Sequence, residues 1–311
     1  MISVALATYN GEKYIIKQLE SIKNQSVKPD EVIICDDLSK DSTAKLINEY
    51  IEKNELKKTW KLVINERNLG YIKNFIKAIT LTHGDYIFLS DQDDIFYKNK
   101  FEEMLKILRN KEDCVLLNAN YEIIDENDKP SKSLRIKARE KRKNSIQKLN
   151  FKRWLYESSF PGFSMGFKSC IREKLLVANI DNCYGHDQMI GLFGISLDGN
   201  YEINKVLSGY RIHAENITGG TKITNNYSIT SRIKQKEKEK AEYELLNKMI
   251  SDNKIKNVDK DFLFLRQREL EKRLLYLKNR NIFKAMLLIL TSKAYPKSTI
   301  LGDCVYILKG K

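Results

Sequence analysis

The sequence GDYIFLSDQDD, residues Gly84–Asp94, joins an apolar strand to three carboxylates within four residues. Asp91 and Asp93 stand at positions i and i+2 past the strand, where two carboxylates can bind one hard cation and leave other coordination sites open for a substrate. Three like charges this close repel one another, so the turn must bind a cation, cap a helix or face water. Asp93 or Asp94 could cap the helix that we expect near Asn99, and the motif alone leaves these alternatives open.

Two earlier strands end in the same way. The apolar run Ile2–Ala7 leads into Thr8 and Tyr9, and the buried run Glu31–Asp36 is followed by Asp37. Strands of this kind alternate with amphipathic helices as far as Leu117, which predicts an α/β fold with a mixed, mostly parallel sheet and helices on both faces. In such sheets ligands bind at the carboxyl ends of the strands, so we expect these polar residues to converge.

The chain lacks both the glycine fingerprint of dinucleotide-binding folds and the phosphate loop G-x-x-x-x-G-K-[ST]. Phosphate groups, if they bind here, must therefore be held in another way. A cation held by the carboxylates is the alternative that the sequence favours.

Charge is distributed unevenly over the 311 residues, whose formal net charge is +14. Residues 221–311 contain 21 Lys and Arg against 10 Asp and Glu, and residues 131–153 contain 10 against one. We therefore expect one large domain, residues 1–220, and a basic helical extension, residues 221–311. Basic patches bind nucleic acid, anionic lipid or phosphate-bearing substrates. Because no aromatic residues interleave with the basic ones, we expect no nucleic acid and favour a membrane surface or a lipid-linked phosphate, with a merely solvated basic face as the alternative.

The rest of the composition predicts a cytoplasmic protein. Five widely spaced cysteines suit reduced thiols, and the residues after Met1 show no basic leader or cleavage site. No apolar run reaches the ~20 residues that a membrane span needs. The short apolar segment Ile282–Leu290 could be an interfacial helix, could dock on the larger domain or could pack against a partner helix, which includes an oligomer contact.

Four regions together carry a family resemblance, namely VALATYN (4–10), ICDDLSKDST (34–43), NLG (68–70) and SDQDDIF (90–96). This combination resembles family 2 glycosyltransferases, which are inverting enzymes of the Rossmann-like GT-A fold that use nucleotide sugars. The Ser-Asp-Gln-Asp-Asp-Ile form is especially similar to bacterial rhamnosyl- and glucosyltransferases of surface polysaccharide synthesis. The resemblance is strong to about residue 110, moderate to about 215 and absent beyond.

On the donor side, the resemblance implies nucleotide and metal contacts. Thr8 and Tyr9 would lie against the base, and Asp37 would accept a hydrogen bond from its ring N–H. Asp91 would hold the ribose or support the metal, and Asp93 would ligate a Mg²⁺ or Mn²⁺ ion that bridges the diphosphate. Such an ion would neutralise the charge that develops on the departing nucleoside diphosphate.

On the acceptor side, the resemblance implies that Asp187 is the general base, with His186 where many members have Glu. Asp187 could instead cap the helix that we expect to begin there. Gly162 and Met165 would belong to the acceptor-side wall. His213 is in a position where some GT-A enzymes supply a metal ligand, although a lone histidine is more often a packing residue.

The function implied is transfer of a single sugar from a UDP- or dTDP-linked donor to a hydroxyl of a cell-surface polysaccharide or lipid-linked glycan, at the inner face of the cell membrane. Processive synthases of the family carry a Q-x-x-R-W motif and transmembrane helices, and we find neither. The alternatives are a sugar-phosphate nucleotidylyltransferase and a non-catalytic nucleotide-sugar-binding component. The former would have a glycine- and arginine-rich loop after the first strand, which this sequence lacks.

Overall fold

The structure is a computed structural model that describes residues 1–130, 145–156, 160–177, 185–213 and 228–310. The chain forms two compact units. The first comprises Met1–Asn150 and Ser159–Asn216, and the second comprises Phe151–Ser158 and Ile217–Lys311. The boundary that we expect after residue 220 and most of the basic segment 131–153 lie outside the described residues.

The first unit is built on a sheet of nine strands among the described residues. The strands are β1 (Ile2–Thr8), β2 (Glu31–Asp36), β3 (Trp60–Ile64), β4 (Tyr86–Ser90), β5 (Ile95–Phe96), β6 (Leu116–Ile124), β7 (Ile146–Lys148), β8 (Met165–Lys168) and β9 (Asn200–Arg211). Their order is β3-β2-β1-β4-β8-β6-β9-β5, with β7 paired to β9. The first four strands are mutually parallel, as are β6 and β9, whereas β8 runs antiparallel to both of its neighbours. The predicted fold class, α/β with a mixed and mostly parallel sheet, is confirmed.

The helices of the first unit alternate with these strands. They are α1 (Ile15–Lys23), α2 (Thr43–Lys53), α3 (Tyr71–Thr80), α4 (Lys100–Asn110), α6 (Ser169–Val177) and α7 (His186–Ser196). In β1 all seven residues are buried, and the apolar faces of α1, α2 and α4 join its side chains in one core. Because β1, β2 and β4 run parallel, the turns at residues 8–10, 36–39 and 91–94 lie at one edge of the sheet.

Asn10 organises the turn before α1. The helix itself begins at Ile15, so Asn10 does not cap it. Asn10 lies in a turn with φ +50°, where its backbone N–H donates to Ser39 Oγ and its side-chain oxygen accepts from Lys40 N–H. Asparagine tolerates this left-handed conformation, so the residue joins two turns at the sheet edge instead of capping a helix.

The second unit is helical in its described part. It contains α5 (Phe151–Tyr156), α8 (Ile229–Ser251), α9 (Lys260–Lys278), α10 (Ile282–Thr291) and α11 (Lys297–Lys309). Side chains of α8 to α11 form an apolar core that includes Leu277, Ala285 and Ile307. Over the described residues, no helix has both the length and the apolar composition that crossing a membrane requires.

Candidate active site at the carboxyl ends of the strands

The turn after β4 is fixed to the end of β9 by a buried arginine. The backbone N–H of Arg211 donates to Asp94 Oδ1 over 3.0 Å, and its Nε donates to the carbonyl oxygen of Asp93 over 2.7 Å. Its guanidinium also lies 4.8 Å from the centre of the Tyr14 ring. The three-carboxylate turn is therefore held by tertiary contacts. Neither Asp93 nor Asp94 caps α4, which begins at Lys100 after Asn99.

Asp93 and His213 form a close pair at this edge. His213 Nε2 lies 2.9 Å from Asp93 Oδ2, and the imidazole packs against Tyr14 with 4.8 Å between ring centres. The histidine is buried and the carboxylate is partly exposed. An oxygen atom and a nitrogen atom that can both ligate a metal are thus adjacent, although 120 positions separate the two residues in the sequence.

Asp91 lies among other carboxylates. Burial, together with the nearby charges of Asp93 and Asp187, raises the pKa of Asp91 to about 8. The backbone N–H of Phe163 and the ammonium group of Lys100 act in the opposite direction. Asp91, Asp93 and Asp187 are therefore close enough for their charges to interact at this edge of the sheet, as the sequence predicts.

The fourth charged group of this cluster, Lys100, is one that sequence reasoning missed. Its buried ammonium donates to the carbonyl oxygen of Phe163 over 2.5 Å and to Ser208 Oγ over 2.7 Å. Burial lowers the pKa of Lys100 to about 7, against the opposing charges of Asp94 and Asp91. A lysine at the first position of an apolar helix was the available signal. The side chain connects α4 to the residues 162–164 turn and to β9.

Asp187 lies in the first turn of α7, where Gly185 precedes the first helical residue. Asp187 Oδ1 accepts from the backbone N–H of Gln188 over 2.8 Å, and the side chain is partly exposed. The expectation that Asp187 itself could be the N-cap is wrong, because the helix already includes His186. Its effect on the pKa of Asp91 places its carboxylate near the end of β4.

His186 points into the protein. Its ring stacks on Phe75 with centres 3.9 Å apart and meets the edge of Tyr71 at 6.4 Å. Burial lowers the pKa of His186, which keeps the imidazole neutral at pH 7. Within the described part of the chain neither ring nitrogen has a hydrogen-bond partner.

The predicted acceptor-side wall lies beside these residues. Gly162 begins a 3-10 turn, Gly162–Ser164, and an added Cβ there would come within 2.7 Å of His186 Nε2, so only glycine permits this approach. Met165 is the first residue of β8, where it is buried and pairs with Asn118. The structure thus brings Gly162, His186 and Asp187 together and places Met165 in the sheet. Their roles toward an acceptor stay predictions.

The β1 end is joined to the β4 end by Gln92, a second residue that sequence reasoning missed. Gln92 Oε1 accepts from Thr8 Oγ1 over 2.6 Å and from the backbone N–H of Tyr9 over 2.8 Å, and its Nε2 donates to the carbonyl oxygen of Tyr9 over 3.1 Å. Thr8 is buried and Tyr9 is exposed. The predicted nucleotide-side residues therefore lie directly beside the acidic turn.

Asp37 is buried and braces a neighbouring turn. Its Oδ1 accepts from Asn65 Nδ2 and from the Leu69 N–H, and its Oδ2 accepts from the Gly70 N–H, all within 2.8 Å. Gly70 has φ +82°, a conformation that favours glycine. Asp37 thus fixes the Asn68–Gly70 turn, a structural role that the sequence did not show. Contact with a nucleotide base stays a prediction.

A divalent cation would fit the chemistry of this edge. Within the described residues no three His, Cys, Asp or Glu side chains form a preassembled metal site. Asp93 and His213 nevertheless form an adjacent donor pair, and Asp94 Oδ2 is buried with no hydrogen-bond partner in the described part of the chain. Burial and the neighbouring carboxylates also raise the pKa of Asp94. Negative charge that protein groups compensate only in part is the environment that a hard cation stabilises.

The fold and this acidic edge define the class of protein, which is an α/β protein of the GT-A type. Residues 3–173, more than half of the chain, match the model of Glycosyl transferase family 2. The chain belongs to this family, as the sequence resemblance indicates.

Two curated relatives align with the amino-terminal part. The chain is 36% identical over 129 residues to an uncharacterized glycosyltransferase of Methanocaldococcus jannaschii, a match that covers 41% of this chain and 43% of the relative. It is 37% identical over 121 residues to a dTDP-rhamnosyl transferase of Shigella flexneri, covering 36% of this chain and 37% of the relative. The chain therefore spans less than half the length of these relatives.

Two solved structures share the fold over nearly the whole chain. One is TarS 1–349 of S. aureus in complex with UDP-GlcNAc, at a TM-score of 0.58 and 15% identity, covering 99% of this chain and 90% of that one. The other is a mannosyltransferase from Pyrobaculum calidifontis in complex with GDP-Man and Mn²⁺, at a TM-score of 0.55 and 16% identity, covering 99% and 84%.

Proposed function

We propose that the protein is an inverting glycosyltransferase that moves one sugar from a nucleoside-diphosphate sugar to a hydroxyl group of a glycan. The observation that carries the proposal is the convergence of Asp91, Asp93 and Asp187, from two separate segments, beside the Asp93–His213 pair. Like charges accumulate in this way where a site binds cations and moves protons. Membership of Glycosyl transferase family 2 supports the same reaction class.

The donor would bind along the ends of β1, β2 and β4. Thr8 and Tyr9, held by Gln92, would contact the nucleotide together with Asp37, and Asp91 would hold the ribose or support the cation. We propose a UDP- or dTDP-sugar, since the Shigella relative is named for dTDP-rhamnose and the TarS structure contains UDP-GlcNAc.

Asp93 and His213, supported by Asp91, would hold a Mg²⁺ or Mn²⁺ ion. When bound, such an ion neutralises negative charge on the departing nucleoside diphosphate. The mannosyltransferase with GDP-Man and Mn²⁺ supports a divalent cation in this fold. Arg211 would keep the acidic turn in position, because its contacts fix both Asp93 and Asp94.

Asp187 would act as the general base. Asp187 lies in the first turn of α7, next to His186, whose ring borders Gly162, and its charge raises the pKa of Asp91 at the end of β4. An acceptor hydroxyl between Asp187 and the donor sugar would lose its proton to Asp187 as it attacks opposite the leaving group, which inverts the anomeric centre. The neutral ring of His186, which stacks on Phe75, would pack against the Gly162 turn and hold it in place.

The acceptor would be a cell-surface polysaccharide or a lipid-linked glycan, reached at the inner face of the cell membrane. The excess of basic residues in segment 221–311 supports contact with an anionic surface.

The test is single-turnover transfer from a UDP- or dTDP-sugar to a glycan acceptor by Asp187→Asn. We expect the transfer rate to fall by about 10²–10⁴-fold, because the base is lost. Donor affinity and the free energy of unfolding should stay unchanged. Asp198→Asn, at an exposed carboxylate of the same unit, is the matched control.

Transfer that persists at the wild-type rate in Asp187→Asn would contradict the role of Asp187. Donor binding without transfer to any acceptor would point to a non-catalytic nucleotide-sugar-binding component. Release of pyrophosphate from a nucleoside triphosphate would point to a nucleotidylyltransferase.

A further inference from the structure

The outer face of α10 presents a continuous apolar stripe. Phe283, Met286, Leu287 and Leu290 are 82%, 55%, 60% and 76% exposed. Their spacing of i, i+3, i+4 and i+7 places them along one side of the helix. We call these four side chains the α10 stripe. A row of large apolar side chains with this exposure marks an interaction surface, whereas single exposed leucines are ordinary.

The opposite face of α10 is already used. Ala285 and Leu288 are buried, and Ala285 belongs to the apolar core that Leu277 of α9 and Ile307 of α11 also form. Asn281 caps the helix by accepting from the Lys284 N–H over 3.0 Å. The helix is therefore fixed in rotation by its buried side and its cap. The α10 stripe faces outward because the fold places it there.

The sequence segment that contains the α10 stripe is strongly basic. Residues 278–311 contain seven Lys and Arg and a single acidic residue, Asp303. Asp303 is buried and bonded to two arginines, so it offers no negative charge at the surface. Arg280 and Lys284 are exposed just before and within the stripe helix. A short apolar stripe flanked by cations is complementary to the headgroups and upper acyl region of an anionic bilayer.

The same charges disfavour a second copy of this chain as the occupant. A twofold contact through the α10 stripe would place two copies of this basic segment against each other, and the one acidic residue within positions 278–311 is the buried Asp303. Four side chains are also far fewer than the roughly 20–30 residues that each partner contributes to a standard protein interface.

We propose that the α10 stripe docks the protein on an anionic membrane surface, with Phe283, Met286, Leu287 and Leu290 entering the boundary between headgroups and acyl chains. Arg280 and Lys284 bind the lipid phosphates. The inference deepens the proposed lipid-linked acceptor by assigning a surface to the membrane contact. It rests on the second unit alone and does not depend on any residue of the acidic edge.

Co-flotation of the full chain with vesicles tests the assignment. The probes are vesicles of phosphatidylcholine mixed with phosphatidylglycerol, and vesicles of phosphatidylcholine alone. We expect binding to the anionic vesicles, with weaker binding to the neutral ones. The double variant Leu287→Gln/Leu290→Gln should bind the anionic vesicles at least about tenfold more weakly than the wild type.

The matched control is Leu176→Gln/Val177→Gln on α6, whose side chains are 57% and 81% exposed. It removes the same kind of apolar surface elsewhere and should leave vesicle binding unchanged. Arg280→Gln/Lys284→Gln should reduce binding to anionic vesicles and leave binding to neutral vesicles as it was.

Equal vesicle binding by wild type and Leu287→Gln/Leu290→Gln would overturn the proposal. A second result would also overturn it: the wild type does not bind vesicles but sediments as a dimer, and the Leu287→Gln/Leu290→Gln variant sediments as a monomer. The α10 stripe would then bind a second copy of the chain. Sugar transfer to a water-soluble acceptor, measured on the same variant, tests the proposed function separately from the membrane contact. It should be unchanged whether or not the membrane assignment holds.

Discussion

The two units hold their clustered charges in opposite ways. At the sheet edge of the first unit, Asp91, Asp93 and Asp187 gather as like charges that neighbouring protein groups compensate only in part. In the second unit, Asp303 lies between two arginines, accepting from Arg232 Nε over 2.7 Å and from Arg273 Nε over 2.6 Å. The carboxylates of the first unit repel one another, whereas the carboxylate of Asp303 is neutralised by the arginines beside it.

A second cluster in the helical unit follows the same rule of pairing. Glu239 accepts from Lys236 Nζ over 2.6 Å, from the Tyr295 hydroxyl over 2.7 Å and from the Tyr243 hydroxyl over 2.9 Å. Buried charge alone therefore does not mark a functional site. What distinguishes the acidic edge is that its negative charge needs a further partner, which we propose is a cation with the donor diphosphate.

The largest effect on stability should come from breaking the Asp303 pair. Asp303→Asn leaves the buried guanidinium of Arg273 without its counter-charge, so we expect a loss of about 3–5 kcal/mol in the free energy of unfolding. Urea denaturation measures this loss. Asp252→Asn, which removes an exposed carboxylate 3.4 Å from Lys254, is the control and should change the free energy by less than ~1 kcal/mol. Equal effects of the two substitutions would show that the buried pair is not structurally important.

A smaller and pH-dependent effect should follow from Glu239→Gln. Burial alone would raise the pKa of Glu239, but the charge and hydrogen bond of Lys236, together with the Tyr295 hydroxyl and the charge of Arg273, outweigh it and lower the pKa to about 2. Because the pKa is lower in the folded state, the ionised Glu239 stabilises the protein above pH ~4.5, and this stabilisation disappears as the pH falls toward 2.

We therefore expect Glu239→Gln to lose roughly 1–3 kcal/mol in the free energy of unfolding at pH 7. The difference from wild type should shrink below pH ~4.5 in urea denaturation. Glu237→Gln is the control on the same helix, since Glu237 is exposed and pairs with Lys278 at 2.7 Å. A difference that stays constant from pH 7 to pH 3 would contradict the assigned charge of Glu239.

The smallest effect on stability should come from the acidic edge. Because the pKa of Asp91 is raised to about 8, this side chain must take up a proton when metal-free protein folds at pH 7, and asparagine avoids that cost. We therefore expect Asp91→Asn to leave the free energy of unfolding the same or to raise it by up to ~1 kcal/mol. The relevant measurement is urea denaturation in the presence of a chelator. A loss comparable to that of Asp303→Asn would remove the contrast between the two units.

Much of the acidic edge could be predicted from the sequence because it depends on a local rule. Apolar runs that end in Thr8, Asp37 and Asp91 indicate parallel strands, and parallel strands bring their carboxyl ends together. The i, i+2 spacing of Asp91 and Asp93 needs no knowledge of the rest of the chain. Asp187 and His213 were assigned from the family resemblance, and the structure places both beside this turn.

The residues that sequence reasoning missed owe their roles to distant partners. Lys100 donates to Ser208, 108 positions away, and Arg211 donates to Asp93, 118 positions away. Gln92 bonds to Thr8 and Tyr9 across more than 80 positions. No local pattern specifies such pairs. These pairs form only once the sheet is assembled, because the strand order brings segments together that are far apart along the chain, such as the ends of β4 and β9.

The exposed face of α10 is an intermediate case. The sequence shows the apolar segment Ile282–Leu290 and leaves open whether it packs on a neighbour or meets a membrane. Only the structure shows that Ala285 and Leu288 face the core while Phe283 and Leu290 face outward.

The most direct test of the account is calorimetric titration of the protein with UDP or dTDP, with and without Mn²⁺. We predict that the wild type binds one of these nucleotides only when Mn²⁺ is present. Asp93→Asn should weaken this binding at least about tenfold, since Asp93 would ligate the ion. Asp198→Asn should bind as the wild type does. Binding that is equally tight without a divalent cation, or in Asp93→Asn, would contradict the claim that this acidic edge holds a cation together with the donor.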